Sequence, residues 1–290
     1  MKLAHVLAIG VLALITGCVA TQAPVSTAPP VTFEDGSPAV EAPRGLTLGA
    51  PLRSQAYFDR FTLYNGDLKI GYHLGTTKKM GMNNLKVING NLNLELDTVT
   101  YRLFFPKLEK VTGNIIVTCP PFSSFAPAVN MLESLDFSSL KEVGGNIVFQ
   151  GIPEYNGAKI NKNRSALDKA LIQISDVGFD NAAFGNLKSV GGNILFEHNA
   201  AFSAIRMPLL ETVGGRLSVT SSSRLTYLDL RSLKKVGDEI RISNNEALES
   251  TDLTTLKEVA SMDVADNNFV NDRPMDLKMN SSLRASVSNL

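Results

Sequence analysis

Few side chains in this 290-residue sequence are of types that could do chemistry: it has three His (His5, His73, His198), two Cys and no Trp. The best acid–base candidates are Arg206, Asp229 and Asp252, which recur at 23-residue intervals. A chain that coils with that period would set them side by side on its outside. Glycan cleavage needs a base and a charge-stabilising group converging in a groove. The plainer reading is a surface ion pair beside a solvated Asp, which is worth little. His198 has no second His or Cys near it in sequence and reads as a solvated corner residue. Cys119, in "VTCPPF", reads as a small buried apolar residue rather than a nucleophile. "NRS" at Asn163 and "NSS" at Asn280 match the glycan-acceptor pattern by chance. With no phosphate-cradling loop and no ligand cluster at metal spacing, neither a cofactor nor a metal is expected.

What would position such residues is a repeat. "LKEVGGNI" at Leu140 returns as "LKSVGGNI" at Leu187, "LETVGGRL" at Leu210 and "LKKVGDEI" at Leu233. With the second glycine as anchor, the copies fall at Gly66, Gly90, Gly113, Gly145, Gly192, Gly215, Asp238 and Ser261. The period is 23, with one interval of 32 and one of 47, close to two periods. Apolar residues stand five and two places before each anchor, as in Leu140 and Val143, and two and four places after it, as in Ile147 and Phe149. The latter pair alternates with polar neighbours, the signature of a strand with one buried face. A further run, with Leu135, Phe137, Ile205, Met207, Leu228, Leu230 and Leu253 alternating inward, completes each turn. So short a period holds two or three short strands and no long helix. The chain must therefore coil, each turn stacking on the next at about 4.8 Å. The expected fold is an all-β solenoid of eight to nine turns, a column roughly 40 Å long. In the last turn Asp263 and Ala265 fall on the inward places, as an atypical capping turn allows. The glycine pair marks a corner that needs positive φ or close approach to the turn below. Seven places after the anchor, Asn199, Ser222, Asn245 and Asn268 are expected to form a structural ladder satisfying corner backbone groups.

The ends frame this coil. Residues 1–17 read as a secretory signal, with Lys2 followed by an apolar run too short to span a bilayer. "ITGC" at its end resembles a bacterial lipobox. The resemblance implies cleavage before Cys18, lipid attachment to that thiol and, with Val19 rather than Asp following, the outer membrane, its periplasmic or surface side left open. Acyl chains there would anchor the chain without a spanning helix. Residues 18–45, rich in Pro, Thr and Ala, read as a disordered tether. The solenoid is expected over 46–272, with insertions near 120–131 and 151–170, and a cap or tail over 273–290.

The motif L-x-x-V-G-G-N-I-x-I…N…L-x-x-L-D-L-x-x-L resembles the leucine-rich repeats of receptor L domains. The resemblance covers about residues 61–268 and implies a right-handed β-helix-like solenoid with a general binding role. It carries over no ligand and no catalytic residue. The disulfides of the receptor ectodomains have no counterpart, since only Cys119 remains beside the lipidated Cys18.

Charge gives no direction: 28 basic residues balance 28 acidic ones, so nucleic acid is not an expected partner. The outward strand places are more informative. An Asn row (Asn91, Asn114, Asn146, Asn193) runs beside outward apolar residues Ile116, Val148 and Leu195. Asn114, Ile116, Asn146, Val148, Asn193 and Leu195 together make the candidate binding face. The neighbouring insertions either cover it or leave it as a ligand face. The expected function is a lipid-anchored envelope module binding a protein or glycan. The alternatives are a structural envelope component without a dissociable ligand and, third, a glycan-active enzyme.

Overall fold

The computed structural model describes residues 32–33, 35–48, 54–70, 79–95, 102–118, 134–150, 184–199, 203–267 and 275–284. The chain divides into two units, Met1–Pro38 and Ala39–Leu290. In the first, Thr32 and Pro38 form an antiparallel bridge, and the Asp35 carboxylate accepts from the backbone N–H (3.0 Å) and hydroxyl (2.6 Å) of Ser37. This small closed turn lies within the segment expected to be a disordered tether. Cys18, Cys119 and Asn163 fall outside the described residues, as do both insertions.

Among the described residues the second unit is all-β apart from two one-turn helices, Gln55–Phe58 and Ser281–Arg284. Its strands are parallel and stack into a β-solenoid of about 6 turns. A nine-stranded sheet runs the length of the coil, faced by a seven-stranded sheet of two- and three-residue strands. The third side is described in two pieces, of three and four strands. The folded unit begins earlier than the composition of 18–45 suggests. Ala42 is buried, its N–H donates to the Leu63 carbonyl at 2.8 Å, and Glu41 bridges Leu63. This segment covers the edge that the first turn would otherwise leave open.

The 23-residue columns become the core. Leu140, Leu187, Leu210 and Leu233 are buried in line, and Val111, Val143, Val190, Val213 and Val236 are direct register partners from turn to turn. In the long sheet Ile115, Ile147, Ile194, Leu217 and Ile240 pair likewise, alternating with outward neighbours. Where the period lengthens, aromatic rings fill the widened interior. Phe105 stacks on Phe137 at 5.7 Å and Phe149 on Phe196 at 4.9 Å, with Phe184 edge-on to both Phe149 and Phe196.

The last turn corrects the sequence reading. Ile240 pairs with Met262 and Ile242 with Val264, so these two residues continue the buried columns while Asp263 points outward. Lys235 still bridges Glu258, 23 places on, so one residue is missing from the corner between them. A one-residue slip inside a strand would reverse its faces; taken up in a corner, it costs the core nothing.

The glycine pairs serve close approach, and among the anchor glycines positive φ is confined to the single glycines of the first two turns, Gly66 (124°) and Gly90 (158°). Gly191 N–H donates to the Val143 carbonyl and Gly214 N–H to Val190, each at 2.8 Å. A Cβ on Gly191 would run into the carbonyl oxygen of Gly144, and one on Gly214 into that of Gly191. Gly191→Ala should therefore destabilise the fold by about 1–3 kcal/mol, seen as a lower urea midpoint. Lys188→Ala, on the exposed side of the same turn, should stay within about 0.5 kcal/mol.

Candidate functional site

The candidate face lies on the outside of the long sheet, where parallel pairing fixes every neighbour. Val148 sits between Ile116 and Leu195 in direct register, and all three are half-buried. The row continues through Asn93 on one side and Ser218, Arg241 and Asp263 on the other. Its apolar part is thus three turns long. Beyond it the same surface is a polar network: the buried Ser218 hydroxyl donates to Glu197 at 3.1 Å, and Arg241 reaches Asp263 at 3.4 Å.

The asparagines beside this row bond from turn to turn. The Oδ1 of Asn91 accepts both the backbone N–H and the side-chain amide of Asn114 at 2.8 Å. Asn114 does the same for Asn146 at 2.7 and 2.9 Å, and Asn146 accepts the backbone N–H of Asn193 at 2.7 Å. Asn193 closes the row on the N–H of Arg216. These amides satisfy corner backbone groups that the strand ladder leaves unpaired. Asn114, Asn146 and Asn193 thus form a hydrogen-bonded ladder along the edge of the apolar row Ile116, Val148 and Leu195.

The other ladder stands in the opposite corner, with one substitution. Asn199 donates its amide to the Phe149 carbonyl at 2.8 Å, and Asn245 to that of Val219 at 2.9 Å. Asn245 Oδ1 accepts the N–H of Ser222 at 3.1 Å, and all three ladder residues are fully buried. The last rung is Asn267, which accepts from Asn245 and donates to the Ile242 carbonyl at 2.7 Å. Asn268 was the expected residue and lies outside the described ones; the short final corner moves the rung back by one. The residue before each rung, His198, Ser221, Asn244 and Asp266, has φ between 53° and 57°. This left-handed residue turns the chain so that the next side chain points inward. His198 is exposed, and its environment is that of a corner.

Arg206, Asp229 and Asp252 do share one side of the coil, with Arg206 and Asp229 in direct register. They do not converge. The Asp229 carboxylate, 2% exposed, takes two bonds from the Arg231 guanidinium at 2.6 and 2.8 Å. Arg206 lies 5.9 Å from the centre of the Tyr227 ring. Asp252 accepts from the hydroxyl and N–H of Thr254, bonds that hold its carboxyl below the ordinary value. The Asp of "L-D-L" thus closes its own turn, as Asp136 does for Ser138. Asn280 likewise accepts from the N–H and hydroxyl of Ser282 at the start of the last helix. No metal-holding group of His, Cys, Asp or Glu occurs among the described residues.

One feature was missed in the sequence. On the seven-stranded sheet a groove of about 300 Å³ runs along the stack, floored by Gly144, Gly191, Gly214 and Gly237. Glu142, Ser189, Thr212 and Lys235 form its side. The glycine pair is legible in the sequence, but its neighbours three places before the anchor vary in type (Glu142, Ser189, Thr212, Lys235) and carry no pattern. Comparison with protein-family models, curated proteins and solved structures gives no match.

Both ladders make stability depend on polar groups. Asn245→Ala strands the Ser222 N–H and the Val219 carbonyl and should cost about 1–3 kcal/mol, measured by urea unfolding. The Asn row begins at Asp67, whose carboxyl is held below its ordinary 3.8 by the backbone N–H of Asn91 and then by its amide, both at 2.9 Å. A depressed folded value means this contribution is complete above the unfolded pKa and fades as pH falls through the folded one. Asp67→Asn should therefore flatten the loss of stability below pH 3.8, followed as melting temperature against pH.

Proposed function

We propose that this chain is a lipid-anchored cell-envelope module that presents a leucine-rich, receptor L-domain-like solenoid to a protein or glycan partner. In this reading the coil is right-handed, with eight or nine turns of about 23 residues. Cys18 carries the lipid, and the outer membrane is the location. No helix among the described residues is long and apolar enough to cross a membrane, and an acylated Cys18 needs none. The observation that carries the binding role is the outward row Ile116, Val148 and Leu195, in register and half-buried, in a line whose other places, Lys69, Asn93, Ser218, Arg241 and Asp263, are polar. Apolar side chains at the centre of a polar rim are the usual make-up of a protein-binding surface, so a protein partner is favoured over a glycan there.

The test is capture from envelope extracts with the full chain. Val148→Asp should lower recovery of the partner about tenfold while leaving the β-rich circular dichroism and melting temperature in place. A specific partner recovered equally by both forms would move binding off this face, and repeated recovery of nothing would favour a purely structural envelope component. Metabolic labelling with a fatty acid, lost in Cys18→Ala, tests the anchor.

A further inference from the structure

Net charge is zero for the whole chain, yet the coil sorts its charges by side. The positions seven to three places before each anchor form the approach to the glycine corner. Across the eight repeats they hold ten basic and five acidic residues, a balance of +5, which leaves −5 for the rest of a chain with 28 of each. Within this band the place after the recurring Leu is Lys86, Lys141, Lys188, Lys234 and Lys257 in five repeats.

Backbone bonds make this an axial row. Lys188 N–H donates to the Lys141 carbonyl, Glu211 to Lys188, Lys234 to Glu211 and Lys257 to Lys234, each at 2.8 Å. Successive places in the row are therefore about 4.8 Å apart along the backbone, inside the Debye length of about 8 Å, so the excess of five lysines over Glu109 and Glu211 acts as one field. Four of the band's glutamates are paired: Lys141–Glu109 at 2.6 Å, Lys234–Glu211 at 2.9 Å, Lys110–Glu142 at 2.9 Å and Lys235–Glu258 at 2.6 Å. All eight partners are about half exposed, so exchanging them for an external anion costs little. Lys188 and Lys257 have no ion pair among the described residues.

The groove lies alongside this row. Its floor has no side chains, and the hydroxyls of Ser189 and Thr212 make no hydrogen bond among the described residues. We propose that this side of the coil binds a linear acidic polysaccharide laid along the axis. Its anions lie over the lysine row, and its sugar rings rest on the glycine floor against the two hydroxyls. A globular acidic protein would need apolar or aromatic anchors at the centre of its footprint, and the groove's apolar side chains, Val143, Val190 and Val213, are turned into the core. A bilayer surface is flat and leaves the groove unfilled. This side is separate from the Ile116–Val148–Leu195 row, so the proposal stands apart from the one above.

The test titrates fluorescently labelled oligogalacturonate into the full chain, with neutral dextran and phosphatidylglycerol vesicles in parallel. Saturable binding of oligogalacturonate is expected, weakening about tenfold from low to physiological salt. The Lys188→Gln/Lys257→Gln double variant should lose about tenfold in affinity at low salt. Lys69→Gln/Lys278→Gln, which removes the same charge from other sides, should bind like the unaltered protein, as should Val148→Asp. Unchanged melting temperatures confirm that all variants fold. Absence of oligogalacturonate binding, equal loss in both double variants, or lysine-independent binding of dextran would each overturn the proposal. So would binding of the vesicles alone, which would make this side a membrane contact.

Discussion

The structure depends on how closely successive turns approach one another at the glycine corner. The gap between Gly144, Gly191, Gly214 and Gly237 is too small for a single methyl group. This fixes the height of each turn, and once the height is fixed the register of every strand follows. Leucine then lies over leucine and valine over valine, and the core is a set of columns rather than a pool. A single turn could not bury its own apolar edge, so stability belongs to the interface between turns. That arrangement also explains why polar residues repeat as strictly as apolar ones. The corners leave backbone groups that side chains one turn away answer, as Asn91 does for the Asn114 N–H and Asn245 for the Val219 carbonyl.

The columns were legible because burial writes itself into residue type at a constant interval. Val143, Val190, Val213 and Val236 could be aligned by counting, and they stack as counted. Counting failed where a corner changed length. Met262, Val264 and Asn267 stand one place earlier than a fixed period puts them, and only the pairing of Ile240 and Ile242 reveals it. The outward asparagines were visible as a row, but a row of amides looks the same from sequence whether it faces a ligand or the next turn. Direction along the axis decides, and direction needs coordinates. Ala42 escaped for another reason: its buried position comes from pairing with Leu63, while its neighbourhood has the composition of a tether. The charge asymmetry was hidden by its own sum.

Two sides of the coil thus differ in chemistry while sharing one scaffold. The outside of the long sheet carries a short apolar row merging into the Glu197–Ser218 and Arg241–Asp263 pairs. The seven-stranded sheet carries cations beside a floor of bare backbone. Between them runs the Asn91–Asn193 ladder, which ties the two sheets together at their common corner. The carboxylates of Asp136, Asp229 and Asp252 are spent on closing their own turns. The carboxylates that first suggest chemistry therefore serve the scaffold.

The Asn91–Asn193 ladder has a sense of direction. The side-chain N–H groups of Asn91, Asn114 and Asn146 point toward the first turn and their Oδ1 atoms toward the last, so these amide dipoles are parallel. Such a series behaves like the backbone of a helix, accumulating partial positive charge at one terminus and negative at the other. Asp67 places a full anion at the positive terminus, and the Arg216 N–H receives the negative one. The solenoid is thereby polarised along its length by side chains alone, and a copy with its turns in reverse order would have the wrong group at each end.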